Sequence, residues 1–232
     1  MPILGEAVRT HWWRFAPVAA AAAVCVPTPG PSNLFGLVPI VLWCALARTR
    51  TTGLVVGGVL VVLLAAFVLP RAFWFAGPWV PSYAELFWLY PMLAALVCLP
   101  AVPRQRRVAD GALVLAVMVL SGFLATGVLL VAQLEAKPGD EGVLPAPTGL
   151  TATEGLGHCG SGNCSREVTL TGDRAPERVR EHLRSRGFTP RERLSPGDDR
   201  VCRIDGLLTT HEVCAESRTL TSTEVRVVWY VD

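Results

Sequence analysis

The residues best able to do chemistry lie in the last third of the chain: His158, Cys159, Cys164, Cys202, His211 and Cys214. Thiolates and imidazoles are the ligands of a tetrahedral zinc site. The spacings are C-x4-C and C-x11-C, however, and neither is the C-x2-C knuckle that marks such a site. An even number of cysteines in a small domain reads instead as a disulfide framework. Four cysteines allow three pairings. Cys159–Cys164 and Cys202–Cys214 are favoured. The Gly-Ser-Gly-Asn stretch inside the first pair can turn tightly, and the second pair sits symmetrically about residue 208, on the facing arms of an expected hairpin. Metal and cofactor are both expected to be absent.

Two further motifs fail on context. Gly155-Leu156-Gly157-His158-Cys159-Gly160 spells G-x-G-x-x-G, but a dinucleotide loop needs a strand before it and a helix after it. Here a Pro/Gly-rich stretch precedes, and a cysteine and a strand follow. Gly160-Ser161-Gly162 is no nucleophile elbow, because Cys159 occupies the place of that motif's first glycine. A thiol–disulfide enzyme would need an exposed, activated cysteine, often in C-x-x-C, and that spacing is absent. No catalytic residue is assigned.

The elements that must carry the cysteines read clearly. Residues 166–170 alternate as a half-buried strand, with Val168 and Leu170 on one face. Pro176 can open a helix, with Val179 and Leu183 as its buried stripe and Gly187 as its stop. Residues 200–205 and 210–215 form hairpin arms around Gly206. Residues 224–231 put Val225, Val227, Trp229 and Val231 on one face and Arg226, Val228 and Tyr230 on the other. The expected domain, 151–232, is a small α+β sandwich of one helix on an antiparallel sheet. Residues 135–150, with three prolines and three glycines, read as a linker.

Residues 1–134 are of another kind. They carry a net charge of +5, against −3 for residues 135–232, and hold nearly all the long apolar runs. The whole chain is only 17% charged, below the roughly 25% of a soluble domain. Segments 53–70, 84–102 and 110–133 are long and apolar enough to cross a bilayer. The shorter segments 13–28 and 33–47, parted by the turn-rich 27–33, bring the expected bundle to about five crossings, or form one re-entrant hairpin. Arg9, Arg14, Arg48, Arg50, Arg104, Arg106 and Arg107 then fall on the cytoplasmic side. Either count leaves the N-terminus inside and the C-terminal domain outside.

Phe73, Trp74, Phe75, Trp79 and Tyr83 crowd the outer loop between two spans. Rings at the headgroup level form an interfacial belt, and a partner-docking surface is the sharper alternative. No ionisable group lies deep in a span, which argues against a transporter. Gly57, Gly58, Gly122 and Gly127 are expected to permit close helix packing. Twenty Arg against one Lys is a bias that resembles proteins of high-GC bacteria.

These readings predict a multi-pass α-helical plasma-membrane protein that displays a disulfide-stabilised binding domain. Its expected role is sensor, scaffold or accessory subunit, and an envelope enzyme is the alternative. Its partners are the lipid bilayer and another membrane or envelope protein, and nucleic acid is not expected. The expected contact residues are Trp74, Trp79, Tyr83, Arg226 and Tyr230.

Overall fold

The computed structural model describes residues 2–27, 31–73, 75–104, 108–133, 136–160, 163–191 and 198–232. The chain divides into two compact units. One holds residues 1–73 and 83–128, the other residues 74–82 and 129–232.

The first unit is helical: α1 (Pro2–Cys25), α2 (Pro31–Phe35), α3 (Leu37–Leu46), α4 (Arg50–Ala72), α5 (Tyr83–Cys98), a 3-10 turn (Leu99–Arg104) and α6 (Val108–Gln133). Among the described residues three stretches are long and apolar enough to cross a membrane: Arg50–Ala72, Tyr83–Pro103 and Ala109–Ala132. The apolar stretch Asn33–Leu46 is shorter. The core joins Ile40 and Trp43 of α3, Leu60, Leu64 and Phe67 of α4, and Leu86 and Tyr90 of α5.

Two local expectations change here. The first helix begins at Pro2, well before the expected segment 13–28, so Arg14 lies inside a helix at the start of its apolar half. It lies mid-helix and donates from Nη2 to the Ala47 carbonyl at 3.0 Å, closing the C-terminus of α3. Of the four glycines, Gly57 faces Pro17 and Gly122 faces the Phe87 carbonyl closely enough to exclude a Cβ, whereas Gly58 and Gly127 meet nothing within 4 Å. A glycine motif alone does not say which of its members a neighbouring helix will use.

The second unit is built on an antiparallel sheet of β1 (Thr151–Glu154), β2 (His158–Gly160), β3 (Asn163–Thr171), β4 (Thr189–Pro190), β5 (Asp198–Asp205), β6 (His211–Thr221) and β7 (Glu224–Val231). Strand order is β1-β3-β7-β6-β5-β4, with β2 pairing off β3. One helix, α7 (Ala175–Ser185), packs on one face. Its C-terminus is a Schellman motif. Phe188 N–H reaches the Leu183 carbonyl at 3.1 Å and Gly187 N–H reaches Arg184 at 3.0 Å. Gly187 has φ +84°, which a side chain resists. Val179, Leu183 and Phe188 then meet Val213, Ala215, Val225, Val227 and Trp229 in one apolar core.

The stretch 135–150, linker-like in composition, packs on this sheet over its described residues. Val143 is buried in the core, and Leu144, Ala146 and Leu150 lie against it. Trp229 Nε1 donates to the Gly139 carbonyl at 2.9 Å, and Asp140 pairs with Arg166 at 2.8 Å. Prolines and glycines here serve an irregular path over the core rather than a free tether.

Glu141 in that stretch faces His211, with Oε2 3.5 Å from Nε2. Burial would raise its carboxyl, but hydrogen bonding to His211, the charges of His211 and Arg203 and the Gly139 amide together outweigh burial and hold it below the ordinary 4.5. A depressed carboxyl contributes stability that is complete above its unfolded value and is lost as pH falls through the folded one. Unfolding titrations should therefore show the sheet unit weakening below about pH 4.5, and less steeply in Glu141→Gln. An unchanged acid limb in that variant would remove Glu141 from the account.

Candidate functional site

The cysteines form two bonds, Cys159–Cys164 and Cys202–Cys214. Both join residues paired directly across neighbouring antiparallel strands, Cys159 with Cys164 on β2 and β3, and Cys202 with Cys214 on β5 and β6. Cys202 and Cys214 are buried, at 1% and 0% exposure, while Cys159 lies at the surface. The nearest thing to a metal cluster among the described residues is Cys202, Glu212 and Cys214, with donor atoms within 4.8 Å of one another. Both sulfurs are committed to each other, so the cluster offers one carboxylate and no thiolate. His211 pairs with Glu141 instead. The free thiols Cys25, Cys44 and Cys98 are all buried.

The loop between α4 and α5 belongs to the same unit as the sheet. Gly77 N–H donates to the Ile204 carbonyl at 3.1 Å, and Gly206 N–H donates to Val80 at 2.7 Å. Gly77 N–H also points at Asp205 Oδ1, 3.3 Å away. Asp205 is itself buried and pairs with Arg203 Nε at 3.1 Å. Val80 is fully buried, whereas Phe75 and Trp79 stay exposed, with ring centres 6.1 Å apart.

Removing the Asp205 carboxylate would leave the largely covered Arg203 guanidinium with only the more distant charge of Glu141, which costs about 1–3 kcal/mol. We expect Asp205→Ala to speed hydrogen exchange at the Gly77 and Gly206 amides together. Exchange unchanged at both would mean that the loop is held by backbone bonds alone.

The five residues expected to make contacts divide between surfaces. Trp79 lies on the docked loop and is 61% exposed. Tyr83 opens α5 and stacks beneath Arg71, 4.2 Å from ring centre to guanidinium. Trp74 lies outside the described residues. Arg226 and Tyr230 do share the outward face of β7, but both are engaged there. Arg226 pairs with Glu167 on β3 at 3.4 Å. The Tyr230 hydroxyl donates to Glu216 Oε1 at 3.0 Å, and the Arg200 guanidinium lies 5.7 Å from its ring. Burial, together with that carboxylate, pushes the Tyr230 hydroxyl up to about 12. This face is laced with ion pairs, and Val228 lies half-buried among them.

Sequence reasoning missed the Asp205–Arg203 pair, which no local pattern signals. It also missed a cleft of about 420 Å³ where α7 overhangs β4–β6, lined by Arg180, Leu183, Arg184, Pro190, Asp199 and Ser217. Arg180 reaches Asp199 across it at 3.6 Å. No local pattern announces this cleft, since its walls come from four elements, α7, β4, β5 and β6.

Comparison of the chain with protein-family models, with curated proteins and with solved structures found no match. The class therefore rests on the architecture: apolar helices, three of them able to cross a membrane, followed by a disulfide-bonded antiparallel sheet.

Proposed function

We propose that the chain is a multi-pass plasma-membrane protein that displays its sheet domain on the extracytoplasmic side as an interaction module. Its role is that of sensor, scaffold or accessory subunit to another membrane or envelope protein. The observation that carries this reading is the union of the α4–α5 loop with the disulfide-bonded sheet in one unit. The chain crosses twice between that loop and the sheet, through α5 and α6, so both lie on one side whichever side that is. Disulfides favour the oxidising side. The arginines at 104, 106 and 107 then fall inside, in keeping with the distribution of positive charge.

The apolar half of α1, residues 15–25, is short and is a partial span behind the charged turns that carry Arg9 and Arg14. With α2–α3 it completes a count of about five crossings, and the N-terminus is cytoplasmic. The outward face of β7, with Arg226, Val228 and Tyr230, is the partner surface. A thiol–disulfide role is disfavoured, because neither bonded pair has the C-x-x-C spacing of an exchange site and only Cys159–Cys164 has a sulfur near the surface.

Cysteine labelling in intact cells tests the reading. Glu177→Cys, on the exposed face of α7, should react with a membrane-impermeant maleimide. Pro103→Cys should react only after permeabilisation. The reverse pattern would overturn the display. Copurification in mild detergent should then yield a partner that Arg226→Glu releases. A chain that holds no partner, or holds it equally in the variant, would remove the role assigned to β7.

A further inference from the structure

Strand register sorts the lining of the cleft under α7. Asp199 pairs with Ser217, Val201 with Ala215, and Pro190 with Val201. Residues paired directly across antiparallel strands project to the same side of the sheet. Ala215 lies in the core with Val179 and Leu183 of α7, so Pro190, Asp199, Val201 and Ser217 all face the helix. The alternating residues Arg191 and Arg200 project to the other side. There Arg191 reaches Glu212 at 3.5 Å and Arg200 reaches Asp232 at 3.4 Å, so their guanidinium groups add no charge to the cleft. From the helix come Arg180, Leu183 and Arg184. Positions 180 and 184 are four apart and lie one above the other on a single face of α7.

The cleft is therefore apolar on one part of its wall and cationic on another. Leu183 is buried and Val201 half-buried, and Pro190 extends the apolar wall. Two guanidinium groups meet one carboxylate. Arg180 reaches Asp199 at 3.6 Å. Among the described residues, the Arg184 guanidinium has no ion-pair or hydrogen-bond partner, which leaves the cleft one positive charge in excess. A single negative charge balances it. A phosphate dianion would overshoot that balance and face Asp199. The planar guanidinium fork matches a carboxylate in bidentate fashion. The volume, about 420 Å³, is that of a site for a small ligand.

We propose that this cleft binds an apolar carboxylate, with Arg184 holding the carboxylate and Leu183, Val201 and Pro190 covering the attached hydrocarbon. A free organic acid and the C-terminus of a peptide present this same chemistry. The site lies on the α7 side of the sheet, opposite the outward face of β7. It goes beyond the interaction role proposed above and does not rest on it, since every lining residue belongs to the sheet unit.

The test follows backbone N–H signals of the full chain in micelles. The probes are isocaproate and acetyl-Gly-Leu, each compared with its own carboxamide, at concentrations on the order of 10 mM. We expect the acids to shift Leu183, Val201 and Ser217, and the carboxamides to leave them in place. Arg184→Gln should weaken the binding about tenfold. Arg174→Gln removes the same charge from the other end of α7 and should not. Asp199→Asn should tighten it, because the one acidic side chain lining the cleft no longer opposes the ligand. Persistence of both disulfides and of the buried Trp229 indole signal shows that each variant is folded. Tighter binding of isocaproate supports the site with a free acid as its occupant, and tighter binding of the peptide supports it with a chain end. Equal shifts from acid and carboxamide, equal losses in the two arginine variants, weakening in Asp199→Asn, or no shift at the cleft from either acid would each overturn the proposal.

Discussion

Replacing both cysteines of the central bond, Cys202→Ala with Cys214→Ala, should destabilise the sheet unit by about 3 kcal/mol, the closure entropy of a loop of this length. A core of such a small domain rarely supplies more than about 3–5 kcal/mol, so most of the unit should open. The bond staples β5 to β6, and β6 lies between β5 and β7, so its loss reaches the middle of the sheet. The paired change Cys159→Ala with Cys164→Ala closes a shorter loop at the periphery. It should cost about 2 kcal/mol at most and leave the fold standing.

Hydrogen exchange on the full chain in micelles reads the difference. Protection on β5 and β6 should collapse in the first variant and persist in the second. Equal effects would mean that position in the sheet does not matter. A mild reductant should likewise open Cys159–Cys164 before Cys202–Cys214, because Cys159 is exposed and the other pair is not.

What the sequence makes legible is whatever repeats with a period. The alternation of Val225, Val227, Trp229 and Val231 identifies β7, and all but the half-buried Val231 are fully enclosed. Pro176, Val179, Leu183 and Gly187 mark α7 from first turn to stop. The symmetric placing of Cys202 and Cys214 about residue 208 reveals the hairpin. The short edge strands escape, because β1 is the exposed Thr-Ala-Thr-Glu and β4 is two residues long, too short for any period.

The packed stretch before β1 escapes for a different reason. Its apolar residues, Val143, Leu144, Ala146 and Leu150, are broken up by prolines and glycine, and such spacing follows neither a strand nor a helix period. The docking of loop 75–82 depends on Asp205, more than a hundred positions away. The aromatic crowding there is visible in the sequence, but the buried carboxylate that fixes it is not. The pairing of Arg226 and Tyr230 with Glu167 and Glu216 is cross-strand information, available once register is known.

Trp229→Ala should be the most damaging single substitution in the sheet unit, at about 3–5 kcal/mol. The indole is fully buried in the central strand. Arg166 lies 5.3 Å from its ring and is itself fixed by Asp140 at 2.8 Å and Glu154 at 2.6 Å. Its Nε1 holds the Gly139 carbonyl. The residue therefore joins three things: the core, the ion-paired edge, and the irregular stretch that leads in from α6. Trp229→Phe separates these roles. It keeps most of the ring in the core but cannot donate to Gly139, so it should cost about 1–2 kcal/mol. Exchange should quicken chiefly in residues 139–146, with β6 and β7 still protected. Global loss of protection in the phenylalanine variant would mean that the hydrogen bond matters more than the packing. No change along 139–146 would mean that the stretch is held by Val143 and Asp140 without it.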